Sequence, residues 1–127
     1  MTLRAPIGRV RGLGSAKNGV GHYWAQRLTA VALVPLLIWF VLSVVSHVGA
    51  SYETIHAWLA SPCTAALLVA LIIAAFHHAQ LGVQVVIEDY VSTESTKLVS
   101  IIAVKFAAVI LGVFCVVAVL RTAVVGG

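Results

Sequence analysis

The sequence predicts an all-α membrane protein with three transmembrane helices in a single domain. Hydrophobic residues make up 61% of the 127 positions and charged residues 9%, with a mean hydropathy of +1.08. A soluble domain is about 25% charged. The apolar residues also gather into three long runs, each with the roughly 20 residues that cross a hydrocarbon layer of about 30 Å. Backbone in lipid must satisfy its own hydrogen bonds, so a spanning segment is a helix or a strand of a closed barrel. The strict alternation of a barrel strand is absent here. Disordered, collagen-like and disulfide-framework chains are excluded by the same composition, with 3 Pro, 10 Gly and 2 Cys.

The segment 1–25 is basic. Arg4, Arg9, Arg11, Lys17 and Arg27 precede the first apolar run, and no acid occurs before Glu53. A basic end beside an apolar run marks the cytoplasmic side of a membrane. The N-terminus is therefore expected inside: in the cytoplasm for a bacterial inner membrane, or in the matrix for a mitochondrial one. The net charge of +4 is a topology signal and not a nucleic-acid signal, because no basic stripe or stacking platform follows.

The first span covers about 26–48 and carries Pro35 well inside it, where a kink is expected. Val48, Gly49 and Ala50 resemble a signal-peptide cleavage site. The run before them is too long for a signal segment and holds Trp39 and Phe40. The many glycines and few serines of the start argue against a mitochondrial transit segment. A second span covers about 63–87, with Pro62 at its first turn, where proline is tolerated. A third covers about 98–121. The connections Gly49–Pro62 and Glu88–Lys97 are short, so sequential helices should be antiparallel neighbours. Cys63 and Cys115 lack ligand spacing and read as small apolar fillers.

Residues that are costly in lipid carry the functional signal. Three lie well inside a span: His77, His78 and Lys105. No acid does, which weakens a reading as a small transporter. His78 lies about 15 Å from the inner end of its helix, close to the bilayer midplane. Its partner is a haem iron, an interhelical hydrogen bond or a proton path. Ala74, Gly82 and Val85 fall within about 40° of it on the helical wheel, a small-residue face against which a flat macrocycle fits. Ile73, Leu81 and Gln84 around His77 are bulkier, so His78 is the better ligand candidate. The expected acceptor for its other ring nitrogen is the Ala74 carbonyl one turn earlier. Asp89 returns to within about 20° of the His78 face, at the inner interface, and Tyr90 follows it. The pair suits a quinone site, or else a helix end with an aromatic anchor. Lys105, about 10 Å from the inner end of the third span, snorkels to the interface or meets a haem propionate or Asp89.

The run His78-Ala79-Gln80-Leu81-Gly82-Val83-Gln84-Val85-Val86-Ile87-Glu88-Asp89-Tyr90 resembles the H-x3-G-x6-D-Y signature of the hydrophobic membrane anchor (D-type) subunits of succinate dehydrogenase, respiratory Complex II. The segment Lys17 to Ala30 is similar to their Gly-rich turn leading to R-x-T-A. The resemblance covers the basic start, the three spans and the motif ending the second. It implies a place in a larger heteromeric helix bundle with a cytochrome b anchor subunit, an iron–sulfur subunit and a flavoprotein subunit. It also implies haem b as cofactor, ubiquinone as substrate and, often in the family, trimers of the whole complex. By the same resemblance His78 is the axial ligand of the haem iron, with a second histidine from the other anchor. Tyr90 bonds a quinone carbonyl, and Asp89 supplies protons beside it. Arg27 lies near the haem propionates or the quinone. His22 matches a propionate-side histidine, one residue nearer to Arg27 than in the family pattern. The chain has no flavin fingerprint and no cluster cysteines, so it is a subunit of an enzyme and not an enzyme alone. A small three-helix transporter and a cofactor-free structural subunit are the competing readings.

Overall fold

The protein, a computed structural model, is described over residues 19–125. Arg4, Arg9, Arg11 and Lys17 of the basic start, with Asn18, lie outside the described residues. Four helices follow in order: α1 (Gly19–Ser46), α2 (Tyr52–Ala60), α3 (Pro62–Tyr90) and α4 (Glu94–Val125). There is no strand among the described residues. Helices α1, α3 and α4 are long and apolar enough to cross a membrane. Each begins or ends beyond its apolar run, because a helix remains the cheapest way to satisfy backbone groups at the polar boundary.

Helix α1 runs without a break through Pro35. Gly49, with φ of +80°, turns the chain beyond its end, in a conformation that favours glycine. The short first connection contains α2. Local chemistry accounts for the helix. The Thr54 N–H donates to the Ser51 hydroxyl at 3.2 Å, capping the first turn. Glu53 lies in that turn, where a negative charge is favoured by the helix dipole. The half-buried Trp58 then packs its ring 4.6 Å from His47 and 6.4 Å from Trp39. That contact pins α2 to the end of α1.

Pro62 opens α3, where its missing N–H costs nothing. Helix α3 is the least apolar of the three long helices, and all the buried residues among those described lie on it: Thr64, Ala65, Leu68, Leu71, Ala74 and Leu81. It is the middle of the bundle. Helix α1 packs on one flank of it and α4 on the other, while α1 and α4 do not pack together. Polar side chains along α3 satisfy one another: Gln80 donates to Gln84 and Gln84 to Glu88, each at 3.0 Å. After Tyr90 a short turn leads to α4, where Glu94 and Lys97 pair at 3.6 Å. The outward faces of α1 and α4 are apolar and exposed, including Leu28, Val31, Leu42, Phe106 and Phe114.

Gly112 of α4 faces Phe76 of α3. A β-carbon there meets the Phe76 ring at 3.7 Å, an ordinary contact. Gly112→Ala should therefore leave the helix pair intact. Gly112→Leu adds bulk that the ring blocks, and overpacking of this kind costs about 1–3 kcal/mol. Thermal stability of the purified protein in detergent checks both variants, with only the leucine expected to lower the melting temperature.

Candidate functional site

The antiparallel packing of α1 on α3 brings the N-terminal half of α1 to the C-terminal half of α3. Thr29 and His78 meet there, with Thr29 Oγ1 and His78 Nδ1 at 3.0 Å. The Thr29 oxygen also lies 2.7 Å from the Ala25 carbonyl and 3.0 Å from the Gln26 carbonyl. A carbonyl only accepts, so the single hydroxyl proton goes to α1 backbone. Nδ1 of His78 then carries a proton and donates it to the Thr29 oxygen. This placement follows from the partners, as it must where hydrogens are unseen. It leaves Nε2 as the ring nitrogen with a free lone pair.

The hydroxyl, and not the Ala74 carbonyl, is thus the acceptor. Ala74 is buried in the bundle, and its carbonyl already belongs to the α3 ladder. Part of the small-residue face is occupied as well. A β-carbon on Gly82 would lie 3.9 Å from Gln26 Nε2 of α1, so the small residues admit a neighbouring helix as much as a ligand. Below this contact the helices part. A cleft of about 410 Å3 opens, lined by His22, Tyr23, Gln26, Arg27 and Ala30 of α1 and by His78 and Val85 of α3.

This cleft carries unmet polar demand. His22 Nε2 and Gln26 Oε1 are buried without a hydrogen-bond partner among the described residues. A buried polar atom left unsatisfied costs about 1–3 kcal/mol. Arg27 stacks its guanidinium 5.2 Å from the Tyr23 ring centroid and has no carboxylate partner among the described residues. No group of three or more His, Cys, Asp or Glu able to hold a bare metal ion occurs among the described residues. The donor set is instead one imidazole with a free nitrogen, one cation and two unmet polar atoms. That set fits a metal-centred group that carries its own equatorial ligands and anionic arms.

Three of the residues marked in the sequence, His22, Arg27 and His78, are therefore brought together. Asp89 and Tyr90 are not in the cleft. Both are exposed at the end of α3, about 16–18 Å along the axis from His78. His77 and Lys105 line a different, largely apolar cleft of about 570 Å3 between α3 and α4, with Gln80 and Gly112. Lys105 thus faces neither the His78 cleft nor Asp89. Thr29 and Gln26 carried no assigned role in the sequence. Thr29 stood inside R-x-T-A, and its place two residues after Arg27 was the available signal.

The chain matches the family described as succinate dehydrogenase/fumarate reductase transmembrane subunit over residues 1–112. It is 36% identical over 117 residues to the succinate dehydrogenase hydrophobic membrane anchor subunit of Rickettsia bellii, covering 92% of this chain and 94% of that protein. It is 32% identical over 106 residues to the subunit of the same name from Paracoccus denitrificans, covering 84% and 82%. A succinate dehydrogenase membrane anchor subunit of Reclinomonas americana is 29% identical over 96 residues, covering 73% and 80%. A three-span helical chain matched over this extent belongs to the succinate dehydrogenase/fumarate reductase transmembrane subunit family, as a membrane anchor.

Proposed function

We propose that the chain helps to hold haem b and ubiquinone in a succinate:quinone oxidoreductase, and docks the flavoprotein and iron–sulfur subunits to the membrane. The cytochrome b anchor subunit is its partner within the bilayer and supplies the opposing histidine. The observation that carries the reading is the His78 cleft, where a free Nε2 sits with the unmet polar atoms of His22 and Gln26 and the cation of Arg27. Nε2 of His78 would hold the haem iron. Arg27 and His22 suit its anionic propionates. When bound, the haem supplies a one-electron redox centre.

Quinone reduction consumes two electrons and two protons at the quinone oxygens. The electrons come from the soluble subunits, since this chain has no cluster cysteines. Its own part is to bind the quinone and to move protons. Tyr90 and Asp89 are exposed at the membrane boundary, where the hydroxyl can donate to a carbonyl oxygen as charge develops on it. Asp89 is placed by helical arithmetic one turn below Val85 of the cleft, facing the aqueous supply of protons. The basic start puts the N-terminus, and with it Tyr90, on the inner side of a bacterial cytoplasmic membrane or a mitochondrial inner membrane. Trimers of the whole complex are the oligomer that this reading expects. A small exporter is disfavoured, because Glu53, Glu88, Asp89 and Glu94 are all exposed outside the bundle.

Three measurements test the reading. His78→Ala should remove the low-spin b-type spectrum of the purified complex, while His77→Ala, in the other cleft, should leave it nearly intact; the reverse pattern overturns the ligand assignment. Tyr90→Phe keeps the ring and removes one hydrogen bond, worth roughly 0.5–1.5 kcal/mol and more where charge develops. Quinone reduction should fall about tenfold, with electron transfer from succinate to a soluble acceptor unchanged. A cysteine placed at Ser15 should resist a membrane-impermeant thiol reagent added from outside; labelling there would reverse the topology.

A further inference from the structure

We propose that Thr29 is a positioning residue for His78, holding the imidazole in one tautomer with the proton on Nδ1 and the lone pair on Nε2. The inference deepens the reading of His78 as an axial ligand and rests on it. The Thr29–His78 contact is the one side-chain hydrogen bond between two helices among the described residues; every other side-chain bond stays within a helix or its cap.

A threonine in a helix commonly turns its hydroxyl back to the carbonyl four residues earlier, and Thr29 does so to Ala25 at 2.7 Å. That habit explains the α1 bond alone. It does not explain why the oxygen also sits 3.0 Å from Nδ1 of a residue 49 positions away. The two contacts act together. Because the hydroxyl proton is committed to backbone, the oxygen can offer His78 only a lone pair. In the opposite tautomer, with Nδ1 bare, the hydroxyl would have to turn its proton away from the Ala25 carbonyl and give up that 2.7 Å bond. The ring is thereby fixed in rotation and in protonation with Nε2 free.

Hydrogen bonding to the far nitrogen of a ligating histidine orients the ring and raises its basicity. A hydroxyl does this more gently than a carboxylate, since it carries no charge. Without that acceptor the Nδ1–H is left part-buried and unmet, the ring is free to turn, and Nε2 becomes a poorer donor. A poorer donor stabilises the ferric state less, so the reduction potential rises.

The test uses the whole detergent-purified complex carrying Thr29→Val, which keeps the shape and loses the oxygen, and Thr29→Ser, which keeps the oxygen. Electron transfer from succinate to a soluble acceptor, normalised to the complex, serves as the assembly control. Thr29→Val should lose haem on dilution about tenfold more readily. A tenfold loss confined to the ferric form raises the potential by about 59 mV. Thr29→Ser should restore both values. If Thr29→Val does not assemble, Thr29→Ala, which adds no bulk, reads the same question. Unchanged haem retention and potential in these variants, with His78→Ala lacking the b-type signal, would overturn the role of Thr29 and leave the ligand assignment standing. A b-type signal that survives His78→Ala would overturn both.

Discussion

Everything in this bundle answers to one constraint: a polar group inside hydrocarbon must find its partner in the protein. Water is not there to serve, and an unmet group costs about 1–3 kcal/mol. Helix α3 has the most polar groups within the membrane, and it is the helix that ends in the middle. Its glutamines bond to each other and to Glu88. His78 reaches across to Thr29. The two buried polar atoms without a partner among the described residues, on His22 and Gln26, stand in the same cleft. The exception to the rule therefore marks the site.

The adjacent histidines of α3 show how one helix serves two neighbours. Consecutive residues are about 100° apart on a helix, so His77 and His78 diverge to opposite flanks. One meets α1 and the other lines the groove against α4. Gly82 leaves room for Gln26 of α1, and Gly112 allows α4 close to Phe76. Lipid offers no hydrophobic drive to press helices together, so small residues that permit near contact carry much of the packing. The apolar outer faces of α1 and α4 require no protein partner for their backbone, while the cleft takes its walls from α1 and α3.

Much of this was legible in the residues. Three apolar runs separated by short connections specify three helices, because length and hydropathy are sufficient for a segment in lipid. The choice of His78 over His77 rested on helical geometry; in the fold His78 and Val85 line one cleft and His77 another. Two features were not legible. Helix α2 is too short and too mixed for a periodic signal, and it depends on Ser51 and Trp58 finding partners across a turn. The acceptor for His78 was sought within its own helix at Ala74 because local spacing can only propose local partners. Thr29 is joined to it by the register of α1 on α3, which no single segment encodes.

The distance of 49 positions between Thr29 and His78 also sets an order of events during synthesis. Helix α1 emerges from the ribosome long before α3 and, with its Thr29 hydroxyl met by its own backbone, can rest in the bilayer alone. Helix α3 arrives with an imidazole inside its apolar span whose hydrogen-bond partner lies on α1. Its insertion and its docking on α1 are thus coupled, since the hydroxyl that relieves the histidine is already waiting in the membrane. The cleft comes into existence only at that moment. A ligand held between these two helices requires both to be in place.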